Sequence, residues 1–506
     1  MAPKLLDKQI AGLSKALKKT LYYSNGSSNL DLYISSLTEY NPFYKTNEIL
    51  EWLNYLNSKE LFNVEERPLT TLRKWKFNSN TGDLEHDSGG FFSIRGLKVK
   101  TNMGLIPEWS QPIIYQPEIG ILGFITKKIN GILYFLVQAK AEPGNINTYQ
   151  LSPTVQATRS NYLQLHGGKP TKYIEYFLGS KKSEVLIDRL QSEQGARFHR
   201  KRNRNMIVRI ADNEKINVET NYKWLTLGQI KALTQIDNVV NMDARSVVSM
   251  ISFCPERTSS LKSIDQKCLQ ECLNSSGLVT NPVSGYAIKL MVSSHSNSAS
   301  LYSMEEILRK ISEAKAKVSL ERQLIPLKDV VSWRKTKTEI HHEDMKYFSI
   351  IGVRVECKDR EVRSWDQPIV KQHQIGIVGF ISKEIDGVLH FLVQLKMESG
   401  ADLLEVAPTV QCITDNYTDD DMPVFTDKFL KRDGFDTITD TYQSEEGGRF
   451  YKESNHNIIL LTNSSFSAGI SPFFLWITMS QLKELIRFNN LVNVEARSLL
   501  ACLPSV

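Results

Sequence analysis

The chain has 506 residues, with 62 Lys and Arg against 56 Asp and Glu, 41% hydrophobic and 23% charged residues. At roughly 100–200 residues per domain this is two to four domains, each able to bury a core, and the apolar fraction excludes a disordered chain. No run of about 20 apolar residues is present, which excludes a membrane-spanning helix. The net charge of +6 suits an anionic small molecule better than nucleic acid, which favours a concentrated basic stripe.

In chain order, residues 1–12 lack an apolar signal core and a small-residue cleavage site, so a cytoplasmic location is expected. An N-terminal extension, residues 1–45, is predicted to carry one basic amphipathic helix over Leu5–Leu21 and has no counterpart later in the chain. A helical pattern follows at Glu48–Leu56, then β-rich runs at Phe91–Val99, Gln111–Tyr115, Gly120–Lys127 and Gly131–Ala141. The Asn130-Gly131 pair between the last two is a hairpin signal. The basic run Arg197–Arg204 reads as a solvated loop, and a late helix is expected at Leu227–Thr234. Residues 251–303, rich in Ser and Asn, read as a linker with one short helix near Asp265–Asn274. The six cysteines form no CxxC pair, which argues for reduced thiols and against structural zinc.

The second half then repeats the first. Trp109-Ser-Gln-Pro112, Gly120-Ile-Leu-Gly-Phe-Ile125 and Phe135-Leu-Val-Gln138, with Lys140, Glu142 and Gly144, recur at Trp365, Gly376, Phe391, Lys396, Glu398 and Gly400, each 256 residues on. Pro153-Thr-Val-Gln156 recurs at Pro408, and Gln191-Ser-Glu193 with Gly195, Arg197 and Phe198 recurs from Gln443. Trp75 and His86 pair with Trp333 and His342. The chain is therefore a duplicated α+β domain, with copies at 46–250 and 304–506, each a mixed or antiparallel sheet with packed helices.

Several repeated residues could carry chemistry. On the strand from Val137, alternation puts Gln138, Lys140 and Glu142 on one face, as it does Gln394, Lys396 and Glu398. This is either a solvated outer face or a cleft wall whose Lys meets an oxyanion and whose Glu exchanges protons. Thr158-Arg159-Ser160-Asn161-Tyr162 is either a polar helix start or a diphosphate site, because Arg forks onto phosphate oxygens. Copy two has Thr414 and Asp415 there, before Asn416 and Tyr417, so copy one is the better candidate. Trp75 and Trp333 are either core residues or stacking faces. His86 is a core group or an acid–base residue. Gly-rich phosphate loops, GxSxG and HExxH are absent.

The segments from Trp109, Gly120, Leu136 and Pro153, with Ser444-Glu-Glu-Gly-Gly-Arg-Phe450, resemble the NDP-hexose 2,3-dehydratase family over residues 46 to the end. The resemblance implies tandem Nudix-like halves, a homodimer, and a dTDP-linked 4-keto-6-deoxyhexose as substrate. The implied reaction removes the C3 proton, acidified by the C4 carbonyl, and expels the C2 hydroxyl. The resulting 3,4-diketo sugar passes to a separate 3-ketoreductase. No cofactor is implied, and the Nudix metal-binding signature is absent after Gly144 and Gly400, so no metal is expected. Trp75 and Trp333 would bracket the ligand, Thr158–Tyr162 and Arg197 would hold it, and Lys140 or Lys396 would stabilise the enolate. Glu142, His86 and Tyr162 are alternative proton carriers. Asn416 and Tyr417, with Lys396, would serve a weakened second pocket. One departure stands out: Ser88-Gly89-Gly90 lacks the Arg that family members carry before the Phe pair, which Arg95 would have to replace. A catalytically silent nucleotide-sugar binder is the alternative.

Overall fold

The computed structural model describes residues 3–21, 27–59, 62–163, 170–253, 266–275, 284–295, 300–358, 362–463, 466–467 and 471–504. The duplication is visible in the sheets. In copy one, strands Gly120–Ile129 and Ile132–Ala141 form the centre of a seven-stranded mixed sheet. Arg202–Arg209 runs parallel to the first, and the remaining neighbours are antiparallel. Copy two builds the same sheet around Gly376–Ile385 and Val388–Met397. Both central hairpins turn on two residues with positive φ, Asn130 (49°) and Gly131 (80°), and Asp386 (48°) and Gly387 (78°). A two-residue turn that matches strand twist requires this conformation, which explains the Asn-Gly and Asp-Gly pairs.

Each copy also forms a smaller sheet, and here the copies exchange strands. Phe62–Arg67 of copy one pairs with Phe348–Cys357 of copy two, in register from Phe62 opposite Cys357 to Arg67 opposite Gly352. Reciprocally, Leu320–Ile325 of copy two pairs with Ser93–Thr101 of copy one. Each five-stranded sheet thus contains one strand from the other half.

The N-terminal extension and the linker each place a helix against one copy. Helix Ser28–Ser36 packs on copy one through Ser35, whose hydroxyl donates to Leu133 O (2.6 Å) and accepts from Leu227 N (2.9 Å). Helix Gly285–His295, within the supposed linker, does the same on copy two: Ser293 donates to Leu389 O and accepts from Met479 N. Asp31 pairs with Lys128, and Lys289 with Glu384, the same bridge with its charges reversed. Residues 285–295 are therefore the second copy's version of 28–36, and the repeat begins upstream of residue 46. The short helix expected near Asp265–Asn274 spans Gln266–Ser275, and the N-terminal helix spans Pro3–Leu21. Among the described residues no helix is long and apolar enough to cross a membrane.

The halves lock together at an approximate two-fold. Helices Met242–Ser249 and Val494–Ala501 pack on each other, each carrying a fully buried arginine. Arg245 donates to Ser498 Oγ (2.8 Å) and Ser444 O (2.6 Å); Arg497 donates to Ser246 Oγ (3.1 Å) and Ser192 O (2.6 Å). Every one of these acceptors lies in the opposite half. Just beyond each central strand a glycine grips the other copy: Gly144 N–H donates to Gly447 O, and Gly400 N–H to Gly195 O, both at 2.7 Å. One apolar core runs through both copies, from Phe124 and Phe135 to Phe380 and Phe391.

A Cβ on Gly144 would lie 1.6 Å from Phe450 O, and backbone cannot move aside as a side chain could. Gly144→Ala should therefore cost at least about 3 kcal/mol, read as a lowered Tm in calorimetry. An unchanged Tm would mean that the halves do not close at this contact.

Candidate active site

A cavity of about 270 Å³ opens at the seam on the copy-one side. Its floor is the copy-one sheet, which contributes Lys140 and Glu142. One wall is Trp75, His86, Phe91 and Phe92, and the other comes from copy two, with Trp365, Asp366, Glu446 and Arg449. The strand alternation places Val137, Ala139 and Ala141 in the core, and Lys140 and Glu142 toward the cavity.

These two side chains are held by a short relay. Lys140 Nζ donates to Gln156 O (3.0 Å) and lies 3.4 Å from Glu142 Oε1. The same Oε1 accepts from Gln156 Nε2 (3.0 Å), and Gln156 Oε1 accepts from Asn241 Nδ2 (2.9 Å). Glu142 Oε2 is buried with no hydrogen-bond partner, a state that costs free energy unless something fills the site. Copy two repeats the relay through Lys396, Gln411, Glu398 and Asn493.

The aromatic wall is partly structural. Trp75 is 8% exposed, and its indole N–H donates to Asp366 O (2.7 Å) of the other copy. His86 meets Trp75 edge-on at 5.3 Å and Phe91 at 4.5 Å, with Nδ1 2.8 Å from Ser88 Oγ. Trp75 is thus both core and cavity wall. Asp366 is gripped by Arg73 of copy one and bidentately by Arg354. Burial works against its carboxylate, but the Arg354 and Arg73 hydrogen bonds outweigh that and hold its pKa below the usual range.

The segment Thr158–Tyr162 only partly reaches the cavity. Thr158, Ser160 and Asn161 line it, whereas Arg159 is exposed and, like Tyr162, stands outside the lining. The turn's leading amide is already taken, since Ser160 N–H donates to Glu118 Oε2 (2.9 Å). The cavity's own cations are Lys140, Lys201 and Arg449. Lys201, 6% exposed, lies in the run read as a solvated loop. Burial lowers its pKa against the pull of Glu193, Glu446 and Glu118. The guanidinium beside Phe92 is that of Arg449, 4.0 Å from the ring centroid. Arg95 instead stacks on Tyr115 at 4.2 Å and is not part of the lining.

Arg197 belongs to the other cleft. It lies over Phe348 of copy two at 4.2 Å, among Glu453, Glu398, Glu445 and Glu495. Trp333, His342 and Lys396 occupy equivalent positions there, and Asn416 Oδ1 accepts from Tyr347 N (3.1 Å). None of Arg197, Trp333, Lys396, Asn416 and Tyr417 lines the copy-one cavity. The clefts differ in charge: Lys201 is matched by Glu453, and Glu446 by Gln194. Glu453 is 4% exposed and both its carboxylate oxygens lack partners. Burial pushes it up to about 8, against Arg197 and helped by Glu445. Among the described residues no three His, Cys, Asp or Glu side chains group to hold a metal ion.

A family model described as NDP-hexose 2,3-dehydratase matches residues 46–251 and 304–503. The chain belongs to that family. It is 42% identical over 486 residues to a dTDP-4-dehydro-6-deoxy-alpha-D-glucopyranose 2,3-dehydratase of Saccharopolyspora spinosa, covering 95% of this chain and 96% of that one. A protein of the same name from Amycolatopsis orientalis is 37% identical, covering 91% and 90%, and one from Streptomyces violaceoruber is 38% identical, covering 90% and 96%. Glu446 and Arg449 of the copy-two loop, Lys201 and the helix residue Asp243 line the cavity and are not marked by the sequence reading. The repeated Ser444–Phe450 motif was the available signal, because a motif shared by both copies had no need to serve its own half.

The second cleft's acids give a pH signature. A carboxyl whose folded pKa exceeds its unfolded value contributes stability that is full below the unfolded pKa, near 4.3, and lost as pH rises through the folded one. For Glu453 that window runs from about 4.3 to about 8. Glu453→Gln should melt close to the wild type at pH 5 and above it at pH 8.5 in fluorimetry. A Tm difference independent of pH would show that Glu453 is charged in the folded protein.

Proposed function

We propose that this chain is a hydro-lyase that removes the C2 hydroxyl of a dTDP-linked 4-keto-6-deoxyhexose in the copy-one cavity. The observation that carries this is the Lys140–Glu142 pair on the floor of an aromatic-walled cavity that both copies build. A C4 carbonyl makes the C3 proton acidic, so the chemistry needs a base at C3 and positive charge at O4. Glu142 Oε2, buried and unpartnered, is the better base: His86 Nδ1 is engaged by Ser88, and Tyr162 is outside the lining. Lys140 Nζ, fixed by Gln156, faces the enolate oxygen. Lys201 and Arg449 are the cations that meet the diphosphate, in place of Arg159 and Arg197. Trp75, His86 and Phe91 cover the ligand's apolar faces.

The seven-stranded mixed sheet of each copy supports a Nudix-like reading of the halves. Family membership supports a homodimer, a cytoplasmic biosynthetic role, and a 3-ketoreductase that consumes the labile diketo product. A catalytically silent binder on this scaffold would need the cations but not the Lys140–Glu142 pair.

The decisive assay supplies dTDP-4-keto-6-deoxyglucose, a 3-ketoreductase and NADPH, with and without EDTA. NADPH oxidation that needs this protein and survives EDTA is expected; calorimetric binding without turnover would point to the silent binder. Lys140→Met should lower kcat by about 100–1000-fold, the usual loss of one oxyanion donor. Arg449→Ala should raise KM by about 10–100-fold, whereas Arg159→Ala should leave it within about fivefold. The reverse ranking would return the diphosphate to the Thr158–Tyr162 segment.

A further inference from the structure

We propose that Glu446, carried into the copy-one cavity by the loop of copy two, is the catalytic acid that protonates the departing C2 hydroxyl. The inference rests on the dehydratase reading above and adds the second proton carrier that the elimination requires.

Position carries the argument. The Glu446 side chain lines the cavity and has no hydrogen-bond partner among the described residues. Its loop closes on itself: Glu446 O accepts from Arg449 N and Phe450 N, both at 3.0 Å. The next residue, Gly447, is the one gripped by Gly144 N–H, two residues beyond Glu142. One backbone hydrogen bond therefore fixes the distance between base and acid, although they are about 300 residues apart in sequence. Arg449 follows Glu446 by three residues, and C2 of a nucleotide sugar adjoins the anomeric carbon that bears the diphosphate. An acid beside the phosphate-binding cations is thus beside O2, while Lys140 attends O4.

The charge environment agrees. The groups facing Glu446 are Glu193, Glu142 and Asp243, with Arg449 and Lys201 opposing them. Asp243, from helix Met242–Ser249, is 4% exposed, and Lys140 is its opposing cation. Burial first, then the neighbouring carboxylates, push Glu446 up to about 7, so it holds a proton near neutrality. Like-charged carboxyls kept apart in proton affinity are the usual arrangement for paired acid and base. The other cleft has Gln194 at this position, and an amide has no proton to give.

The step balances. Glu142 takes the C3 proton, and the C3–H electron pair moves into the enolate. The enolate re-forms the C4 carbonyl as the C2–O bond breaks, and Glu446 gives its proton to the leaving hydroxyl, releasing water. Glu142 then returns its proton to C2 as the Glu446 carboxylate takes the proton of the C3 enol. Both residues finish as they began, and the sugar has lost one water.

The test separates the two proton transfers. Glu446→Gln should lower kcat by at least about 100-fold while dTDP-4-keto-6-deoxyglucose recovered from D2O still gains deuterium at C3, read by mass spectrometry. The alkaline limb of wild-type kcat near pH 7 should vanish in this variant, and Glu446→Asp, which keeps an acid, should retain the limb and part of the rate. Full turnover by Glu446→Gln overturns the proposal. So does loss of exchange together with turnover in a variant of unchanged Tm, and so does a Glu446→Asp variant indistinguishable from Glu446→Gln. A wild-type protein that neither turns over nor exchanges the C3 proton fails the dehydratase reading instead.

Discussion

Two backbone hydrogen bonds, Gly144 N–H to Gly447 O and Gly400 N–H to Gly195 O, determine where everything else in the molecule sits. Each joins the end of one copy's central strand to the loop that completes its cleft. No side chain is tolerated at either glycine, because a Cβ would meet backbone oxygen within 2 Å. The buried arginines Arg245 and Arg497 reinforce the joint. A buried guanidinium is costly unless it is fully hydrogen-bonded, and here each bonds one carbonyl of its own half, Val240 or Val492, and a carbonyl and a hydroxyl that the opposite half presents. The cavity inherits its precision from this joint: its floor and its far wall belong to different copies.

The two clefts share a backbone and differ by a few charges. Both have the Lys–Glu–Gln–Asn relay, an aromatic hairpin and an arginine over a Phe ring. In the copy-one cleft, Lys201 and Arg449 lie among the carboxylates, of which burial still raises Glu446, Asp243 and Glu193. In the other, Glu453 stands where Lys201 would, enclosed beside Arg197 and Glu445. Burial raises Glu453, Glu445 and Glu398 together.

Much of this was legible in the sequence. The repeat, the strand alternation that turns Lys140 and Glu142 to one face, the Asn-Gly and Asp-Gly turns and the family motifs are local patterns with direct structural meaning. What escaped was non-local. Nothing in the run Arg197–Arg204 tells that Arg197 serves one cleft and Lys201 the other. The helix at Gly285–His295 shares with Ser28–Ser36 only Leu32, Ser35 and Ser36, matched by Leu290, Ser293 and Ser294. Its salt bridge is inverted besides, so the pattern reads as a linker. Arg159, the obvious phosphate ligand by composition, is exposed, and Glu118 has taken the amide of the next residue, Ser160.

The strand exchange makes each half depend on the other. Phe62–Arg67 and Leu320–Ile325 each complete the sheet of the other half, and a half on its own would leave both a bare sheet edge and a strand with nothing to pair with. A single copy of this fold would need a second one to supply the missing strand and loop, and the two clefts of such a pair would be identical by symmetry. In that pair no mutation could touch one cleft without touching the other. In the fused chain each cleft has its own residues, as Lys201 and Glu453 at equivalent positions show.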